Sequence, residues 1–397
     1  MGGITRGTFR TAEDSFYSEV CMDELMVVGA GVSGLVAAIE AAERGWSVTV
    51  CEARSAVGGR ARSMRGRFLA NIGPHALYSD GAFWRWLEER DLLPPVLATL
   101  RPKTLFRIHD RLGAWPGELG PPRDHVRPEA PVDESYRLWL GRHAGDEVAE
   151  AMIGLSFIGT YDHDPGRLSA AFVNERLQRL LSNGACYVVG GWSVLVDRLA
   201  RHATRLGMRF RLRSRVQSLD QSPVIVATHL ADARRLTGDP SLDWSSGRTA
   251  LLDLGLSTDE STDWFRVIDL QDRIYMARYS VVDPTLAPRR SDLLQAAAAC
   301  APWERLDAPI WRIERLLDMS SPGWRDRISW RRAYLMDGQT GAVDLPGTSW
   351  QDRPAIRRSP TLAVATDQSA APGLLSEVGV SAALSAVEAL TCDNLAA

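Results

Sequence analysis

Residues 24–52 read ELMVVGAGVSGLVAAIEAAERGWSVTVCE, and this stretch decides the fold. Leu25 to Val28 is a short apolar and β-branched run, typical of a strand buried in a parallel sheet. Residues 35–44 are rich in alanine and predict a helix, which Gly45 ends. A second apolar run at 46–51 predicts a second strand. The order strand, helix, strand predicts a βαβ unit and therefore an α/β protein.

Three glycines at the turn into the helix give this unit its chemistry. Gly29, Gly31 and Gly34 form the pattern G-x-G-x-x-G. In such a turn the first glycine allows the tight bend, the second lets the backbone approach a pyrophosphate, and the third lets helix and strand pack closely. Glu52 follows the second strand, where an acid bonds ribose hydroxyls and repels a 2′-phosphate. The unit predicts a dinucleotide site, with a purely structural glycine turn as the alternative.

Two segments beyond this unit indicate which dinucleotide binds. Residues 57–63 read VGGRARS and residues 71–78 read NIGPHALY. Together with Glu52 they resemble the extended FAD fingerprint of the superfamily of amine oxidases, phytoene desaturases and protoporphyrinogen oxidases. The resemblance implies that Gly58, Gly59 and Arg60 lie along the pyrophosphate and ribityl chain, that Gly73, Pro74 and His75 border the isoalloxazine ring, and that Val32, Ser33, Ala53 and Arg54 also contact FAD.

His75 is the one histidine that these motifs bring near the flavin. In the family this position often works through its backbone, so a structural role and acid/base catalysis both remain open. The resemblance assigns no other catalytic residue.

The resemblance extends to the C-terminus. Segments 160–170, 189–199 and 207–219 are similar to the family's return into the FAD domain, where a strand valine, here Val216, meets the adenine. The segment TLAVATDQSAAPG at 361–373 is similar to the closing motif, whose acid, here Asp367, contacts the ribityl or pyrophosphate region. This chain has Thr366-Asp367 where Gly-Asp is common, and the helix after it lacks the usual Ser-Gly pair. Because no cysteine lies beside this motif, we expect FAD to be bound non-covalently.

The spacing of the motifs predicts two domains of an α/β protein. A Rossmann-type FAD-binding domain is expected from 22–80, 184–235 and 355–397, and an interrupted α+β substrate-binding domain from 81–183 and 236–354. Residues 1–21 are expected to be a poorly ordered extension, with Met22 as a possible true start. Within the substrate-binding domain, we expect helices at 135–160 and 291–301, and strands at 249–254, 273–281 and 327–335.

Composition excludes several other classes of protein. The 397 residues carry 46 basic and 49 acidic side chains, and Lys103 is the only lysine. A Schiff base or a P-loop lysine would therefore have to use this one residue. The five cysteines form no Cys-x-x-Cys pair, and no metal-ligand cluster is evident. The scattered arginines give no reason to expect nucleic acid, and no apolar run predicts a signal peptide or membrane span, so a cytoplasmic protein is expected.

These features predict an FAD-dependent oxidase or desaturase that transfers a hydride from a small apolar or aromatic substrate to flavin N5. Dioxygen or another acceptor would reoxidise the flavin, and a role in specialised biosynthesis is expected. Many amine oxidases of this family hold a water near N5 with a lysine from the second half of the chain, so an amine oxidase here would need an atypical, lysine-free site. A second alternative is a binding module without flavin chemistry, similar to GDP dissociation inhibitors.

Aromatic residues of the substrate-binding segments are candidates for the substrate pocket, although core packing explains most of them. Asp162, His163 and Asp164 are expected to form a solvated turn rather than a catalytic group. The pocket candidates are Trp84, Trp86, Trp139, Trp311, Trp324, Trp330, Trp350, Tyr275, Tyr279 and Tyr334.

Overall fold

A computed structural model describes residues 24–98, 103–182, 184–219 and 223–394, which form sixteen strands and ten helices. The predicted extension 1–21 and Met22 lie outside these residues. The strands are β1 (Glu24–Val28), β2 (Ser47–Cys51), β3 (Leu77–Tyr78), β4 (Val96–Ala98), β5 (Thr104–Ile108), β6 (Arg111–Gly113), β7 (Ala185–Val188), β8 (Arg209–Arg211), β9 (Val224–Val226), β10 (Ser246–Ser257), β11 (Arg266–Asp269), β12 (Ile274–Arg278), β13 (Ser291–Ala299), β14 (Ile328–Ala342), β15 (Arg357–Ser359) and β16 (Leu362–Val364). The helices are α1 (Val32–Glu43), α2 (Ala82–Glu88), α3 (Tyr136–Ala144), α4 (Asp146–Thr160), α5 (Ala170–Leu181), α6 (Trp192–Arg205), α7 (Leu230–Thr237), α8 (Tyr279–Val282), α9 (Asp307–Ser320) and α10 (Ser376–Asn394).

The predicted βαβ unit lies at the centre of a six-stranded sheet. Its order is β15-β16-β9-β1-β2-β8, and every pair is parallel except β15 with β16. Both faces of β1 are covered: Leu25 and Val27 pack in the core with α1 and α10, while Met26 and Val28 pack against α7. This burial explains why the strand is a continuous apolar run. The mixed α/β class predicted from the sequence is confirmed.

Helix α1 packs unusually closely on the turn before it because of Gly34. A Cβ atom at Gly34 would lie 1.9 Å from the carbonyl oxygen of Gly29, which no side chain can tolerate. Gly379 plays a similar part on α10, since a Cβ there would lie 2.3 Å from Ser33 Oγ. The two helices therefore come together at the start of α1, beside the predicted cofactor site.

A second, seven-stranded sheet has the order β14-β10-β13-β12-β11-β5-β6. All its strands come from segments predicted for the substrate-binding domain, and all strands of the six-stranded sheet come from segments predicted for the FAD-binding domain. A third sheet, β3-β7-β4, draws one strand from 81–183 and two from the FAD-binding segments. The division into two domains remains a prediction.

The helix predicted at 291–301 is wrong. This segment forms β13, which pairs with β10 on one side and β12 on the other, and nearly all of it is buried. Alanine favours a helix only weakly, and pairing on both edges of a central strand outweighs that preference. Because these side chains are small, α9 packs on the face of β13 that carries Ala296 and Ala298. A second hydrophobic core contacts the opposite face of the strand at Ala297.

Other expectations for secondary structure are met or corrected. The helices expected within 135–160 are present as α3 and α4, β10 contains the strand expected at 249–254, and β14 begins one residue after the start of the strand expected at 327–335. The strand expected at 273–281 ends at Arg278, where the helical turn α8 begins. The strand expected around Val216 ends at Arg211, because the chain then bonds the loop after β2 instead of continuing a ladder.

The solvated turn expected at 162–164 is also corrected. Asp162 is only 1% exposed, and both its carboxylate oxygens accept hydrogen bonds from Arg167, at 3.0 and 2.7 Å. The backbone N–H of Asp164 donates to the same carboxylate. Proline and glycine do follow in a turn, but the ion pair draws the acid inward, and its role is structural.

Candidate functional site

A single cavity of about 630 Å³ runs from the carboxyl ends of β1, β2 and β9 to the face of the seven-stranded sheet. Ligands of open α/β sheets bind at the carboxyl ends of such strands. Of the sixteen residues predicted to contact FAD, all but Gly34 line this cavity. The part lined by Gly31, Ser33, Glu52, Arg60 and Asp367 is called the cradle below. The part lined by Tyr161, Tyr187, Arg266, Tyr275 and Tyr279 is called the aromatic end.

The cradle begins at the N-terminus of α1. No side chain caps this helix, and its first turn carries no acidic residue, so its free N–H groups and positive dipole end are available to an anion. Gly31, at the N-cap, lines the cavity, and a Cβ atom there would have no neighbour within 4 Å. The helix therefore presents an open anion site of the size and charge that a pyrophosphate requires.

Glu52 closes the cradle at the end of β2. Its carboxylate accepts hydrogen bonds from two backbone N–H groups, that of Ala30 at 2.9 Å and that of Arg54 at 2.8 Å. The side chain is buried, at 8% exposure, yet still lines the cavity. These bonds hold the carboxylate in one position, and a carboxylate held at this position suits the ribose hydroxyls of a dinucleotide.

The Gly-Gly-Arg turn connects the cradle to the closing motif. Gly58 N–H donates to the carbonyl of Ala30 at 2.6 Å, which seats the turn over the glycine-rich loop. Arg60 Nη1 lies 2.7 Å from Asp367 Oδ2 and also donates to the carbonyl of Gln339. Burial alone would raise the pKa of Asp367, but the charge and the hydrogen bond of Arg60, together with smaller contributions that include His229, hold that pKa below its ordinary value. Asp367 is therefore an ionised acid beside the cradle.

Val216 reaches the cavity from a loop. Ser214 N–H donates to the carbonyl of Glu52 and Arg213 N–H to that of Arg54, each at 2.9 Å. These bonds bring Val216 and Arg215 to the cradle beside Ala53. The backbone of this loop, rather than a strand, forms that wall.

The segment 71–78 crosses between the cradle and the aromatic end. Asn71 fixes it: its side-chain oxygen accepts Trp192 N–H at 3.0 Å, and its carbonyl accepts hydrogen bonds from Gln295 and Arg332, each at 2.9 Å. Sequence reasoning missed Asn71, because its partners come from distant parts of the chain. Its bonds hold the following Gly73-Pro74-His75 against the cavity.

His75 is a neutral, oriented imidazole. Nδ1 lies 2.8 Å from the carbonyl of Gly73, which can only accept, so Nδ1 carries the proton and Nε2 is left as an acceptor. The ring packs against Trp192 with centroids 4.9 Å apart. Burial lowers the pKa of His75 to about 4; the Gly73 bond opposes this shift and the charge of Arg60 adds to it.

This pKa predicts how stability depends on pH. Between about pH 6.5 and 4 the unfolded chain protonates at His75 while the folded chain does not, so stability falls as pH drops through that window. We expect His75 to account for a loss of up to about 3 kcal/mol. Urea unfolding at several pH values should show a shallower slope in His75→Gln, with the exposed residue His109, as His109→Gln, for control. Equal slopes for His75→Gln and the parent protein would contradict the assignment.

The aromatic end is lined mainly by apolar side chains and phenols. Tyr187 and Tyr279 meet edge to face with centroids 5.3 Å apart, and the hydroxyls of Tyr275 and Tyr279 are 3.5 Å apart. Burial raises the pKa of Tyr161, Tyr187 and Tyr279 above the ordinary value, so these phenols stay protonated at neutral pH. Apolar neighbours are Phe106, Leu155, Ile158, Leu177, Leu180, Leu251, Ile268 and Met336.

The pocket candidates from the sequence are only partly found here. Tyr275 and Tyr279 line the cavity, whereas Tyr334 and the seven named tryptophans do not. Trp192 does line it, but it lies at the start of α6, in a segment that resembled only the FAD domain. Lys103 does not line it: its ammonium group pairs with Asp263, and half of its side chain is exposed.

The described ranges contain neither a candidate membrane span nor a candidate metal site. No helix there combines the length and apolarity that a bilayer span needs. Nor do three or more His, Cys, Asp or Glu side chains gather there as metal ligands.

The cradle fits a dinucleotide on its own features. An uncapped helix N-terminus faces the cavity, an unsubstituted Cα leaves room beside it, and a buried carboxylate lies at the end of the next strand. These are the groups that bind pyrophosphate and ribose. Glu52 would repel a 2′-phosphate, which excludes NADP rather than FAD.

Sequence relatives share parts of this chain. A segment of 205 residues is 26% identical to protoporphyrinogen oxidase 1 of Arabidopsis thaliana, covering 44% of this chain and 37% of that protein. A segment of 80 residues is 34% identical to an L-amino-acid oxidase of Siganus canaliculatus, covering 19% of this chain and 15% of that protein. The chain thus matches well under half the length of these relatives.

The fold as a whole has close counterparts among solved structures. Cyclohexylamine oxidase from Brevibacterium oxydans superposes with a TM-score of 0.73 over 94% of this chain and 100% of its own, at 16% identity. A family model described as FAD dependent oxidoreductase matches residues 24–237, more than half of the chain and including the whole βαβ unit. This protein belongs to the FAD-dependent oxidoreductase family.

Proposed function

We propose that this enzyme binds FAD non-covalently in the cradle and oxidises a small apolar or aromatic substrate held at the aromatic end. The observation that carries the proposal is the continuity of the cavity, which joins the cradle to a pocket of phenols and aliphatic side chains. The chemistry that bound FAD would supply is acceptance of a hydride from the substrate and transfer of the electrons to dioxygen or another acceptor.

The residues of this chain have separate tasks in the proposed reaction. The first turn of α1 and Glu52 bind the pyrophosphate and ribose, while Arg60 and Asp367 hold the closing motif beside them. Tyr187, Tyr275 and Tyr279 with their aliphatic neighbours exclude water and orient the substrate. The phenols are protonated and His75 is neutral, so this lining favours chemistry that needs no strong base.

Non-covalent binding is supported by the placement of the cysteines. Cys51 lines the cavity, but it does so next to Glu52, at the end where the ribose is expected. Cys186 and Cys300 are buried and do not line the cavity. The three are free thiols, which is consistent with the cytoplasmic location that we propose.

The absorption spectrum of the purified protein tests the cofactor. We expect bands near about 370 and about 450 nm, typical of oxidised flavin, and full release of the flavin into the supernatant on acid precipitation. A colourless protein that takes up no added FAD would refute the enzyme hypothesis and favour the binding module similar to GDP dissociation inhibitors. Flavin that stays with the precipitate would refute non-covalent binding.

Anaerobic bleaching of the flavin tests the substrate. Apolar aromatic compounds should reduce the flavin, and simple amines should do so poorly. Lys103, the one lysine of the chain, lies at the surface, so a lysine-dependent amine oxidase mechanism has no support in the cavity. Rapid bleaching by aliphatic amines would instead favour the lysine-free amine oxidase.

A further inference from the structure

Among the described residues, Arg266 is the one cation on the sheet face that forms the wall of the aromatic end. It begins β11, paired in register with Thr104 of β5. Side chains alternate along a strand, so Arg266 and Ile268 face the cavity while Val267 packs in the core beneath. Tyr275 lies opposite Ile268 and hence diagonal to Arg266 on the same face. An arginine thus occupies a wall position among apolar and phenolic side chains.

The guanidinium of Arg266 is oriented but not neutralised. Nε donates to Thr104 Oγ1 at 2.8 Å, which fixes the plane of the group. Among the described residues no carboxylate forms an ion pair with Arg266, although most other partly buried arginines have such a partner. The two Nη groups therefore remain for a ligand.

The acids that line the described part of the cavity form no ion pair with Arg266. Its described lining contains three carboxylates, Glu52, Asp232 and Asp367, and all three belong to the cradle side. Glu52 is bonded to backbone N–H groups and Asp367 to Arg60. At the aromatic end the other ionised group in the lining is Arg123, which is also a cation and lies on an exposed turn. The charge at this end is therefore positive.

We propose that Arg266 binds the carboxylate of the substrate, so that the enzyme acts on an aromatic or apolar acid. A half-buried guanidinium binds most tightly an anion that accepts hydrogen bonds from both free Nη groups. A planar carboxylate accepts two such bonds in a bidentate manner. The phenols around it would add hydrogen-bond donors. A cationic amine in the same pocket would meet a like charge. This inference rests on the proposed function, since it names the substrate class of the same site.

Binding of three matched probes to the FAD-loaded enzyme tests the proposal. Hydrocinnamate, hydrocinnamide and the corresponding primary amine share one ring and chain but are anionic, neutral and cationic. Each is titrated while the visible flavin spectrum is followed. We expect the anion to bind at least about tenfold more tightly than the amide, and the amine to bind most weakly. Arg266→Gln should remove the preference for the anion and leave the amide unaffected, and Arg266→Lys should restore part of it.

Arg111→Gln is the matched control, because Arg111 is an exposed arginine of the same sheet that does not line the cavity. The ratio of flavin to protein absorbance reports whether each variant folds and holds FAD. The inference would be overturned by any of three results. These are equal binding of the three probes, a preference for the anion that survives in Arg266→Gln, and no spectral response to the anion up to its solubility limit. A protein without FAD would refute the proposed function instead, and quenching of tryptophan fluorescence would still report the charge preference.

Discussion

Gly31→Asp is expected to give a folded protein that does not retain FAD. Gly31 has φ −72° and ψ −178°, which aspartate adopts without strain, and its Cβ would meet no atom within 4 Å. Aspartate at an N-cap stabilises a helix by accepting its free N–H groups. In the cradle it would take the groups that the pyrophosphate needs and add a negative charge beside the phosphates. We expect FAD affinity to fall about a thousandfold or more.

Flavin content after purification measures the loss of FAD binding, and a melting curve of the apoprotein measures whether the variant is folded. Gly31→Asn is the matched control, because it has the same shape and also caps helices but carries no charge. It should lose less affinity than Gly31→Asp, with a similar melting temperature. Normal flavin content in Gly31→Asp would show that the N-terminus of α1 does not face the phosphates.

Glu52→Ala is expected to weaken FAD binding about a hundredfold and to lower the free energy of unfolding by about 2 kcal/mol. The carboxylate accepts N–H groups from Ala30 and Arg54, and Ala30 is fully buried. Removing the acid leaves that buried donor without a partner, and it also removes the predicted ribose contact. Both the holoprotein and the apoprotein should therefore be affected.

Equilibrium titration of apoprotein with FAD, together with urea unfolding, separates these two effects. Glu24→Ala, on the exposed start of β1, is the control and should change neither quantity. Glu52→Gln keeps one acceptor oxygen and should fall between the parent protein and Glu52→Ala. If Glu52→Ala bound FAD as tightly as the parent protein, the acid would have a structural role alone.

The single lysine shows how composition and structure together argue against a lysine-dependent reaction mechanism. The sequence predicts that a lysine-dependent site would have to use Lys103, and the structure places Lys103 in a surface ion pair. Arginine takes the buried ion pairs instead: both Nε and Nη2 of Arg353 donate to Asp344, at 2.9 and 2.7 Å. The planar guanidinium suits such bidentate pairs. Arg266, which has a hydroxyl partner but no carboxylate partner among the described residues, differs from these arginines.

The aromatic end could not be predicted from the sequence. Its walls come from β5, β11 and β12 of the seven-stranded sheet, from β7 of the three-stranded sheet, and from the helices α4 and α8. These elements are separated by long stretches of chain and meet only in the tertiary structure. Tyr161 and Tyr187 have no local pattern that distinguishes them from core residues. The strand β13 was mistaken for a helix for a related reason, because its pairing partners are remote and its composition is rich in alanine.

The part of the cradle that β1, α1 and β2 supply, by contrast, could be predicted from the local sequence. Gly29, Gly31, Gly34 and Glu52 lie within one βαβ unit, and the bonds that shape their turn connect neighbouring elements, so the residue types alone predict the geometry. By itself the sequence determined the α/β class and the relation to FAD-dependent oxidoreductases, and it named residues that line one end of the cavity. Only the tertiary structure decided which side chains line the aromatic end and that Arg266 lies there with no carboxylate partner among the described residues, because strand order and pairing, not local pattern, bring those residues together.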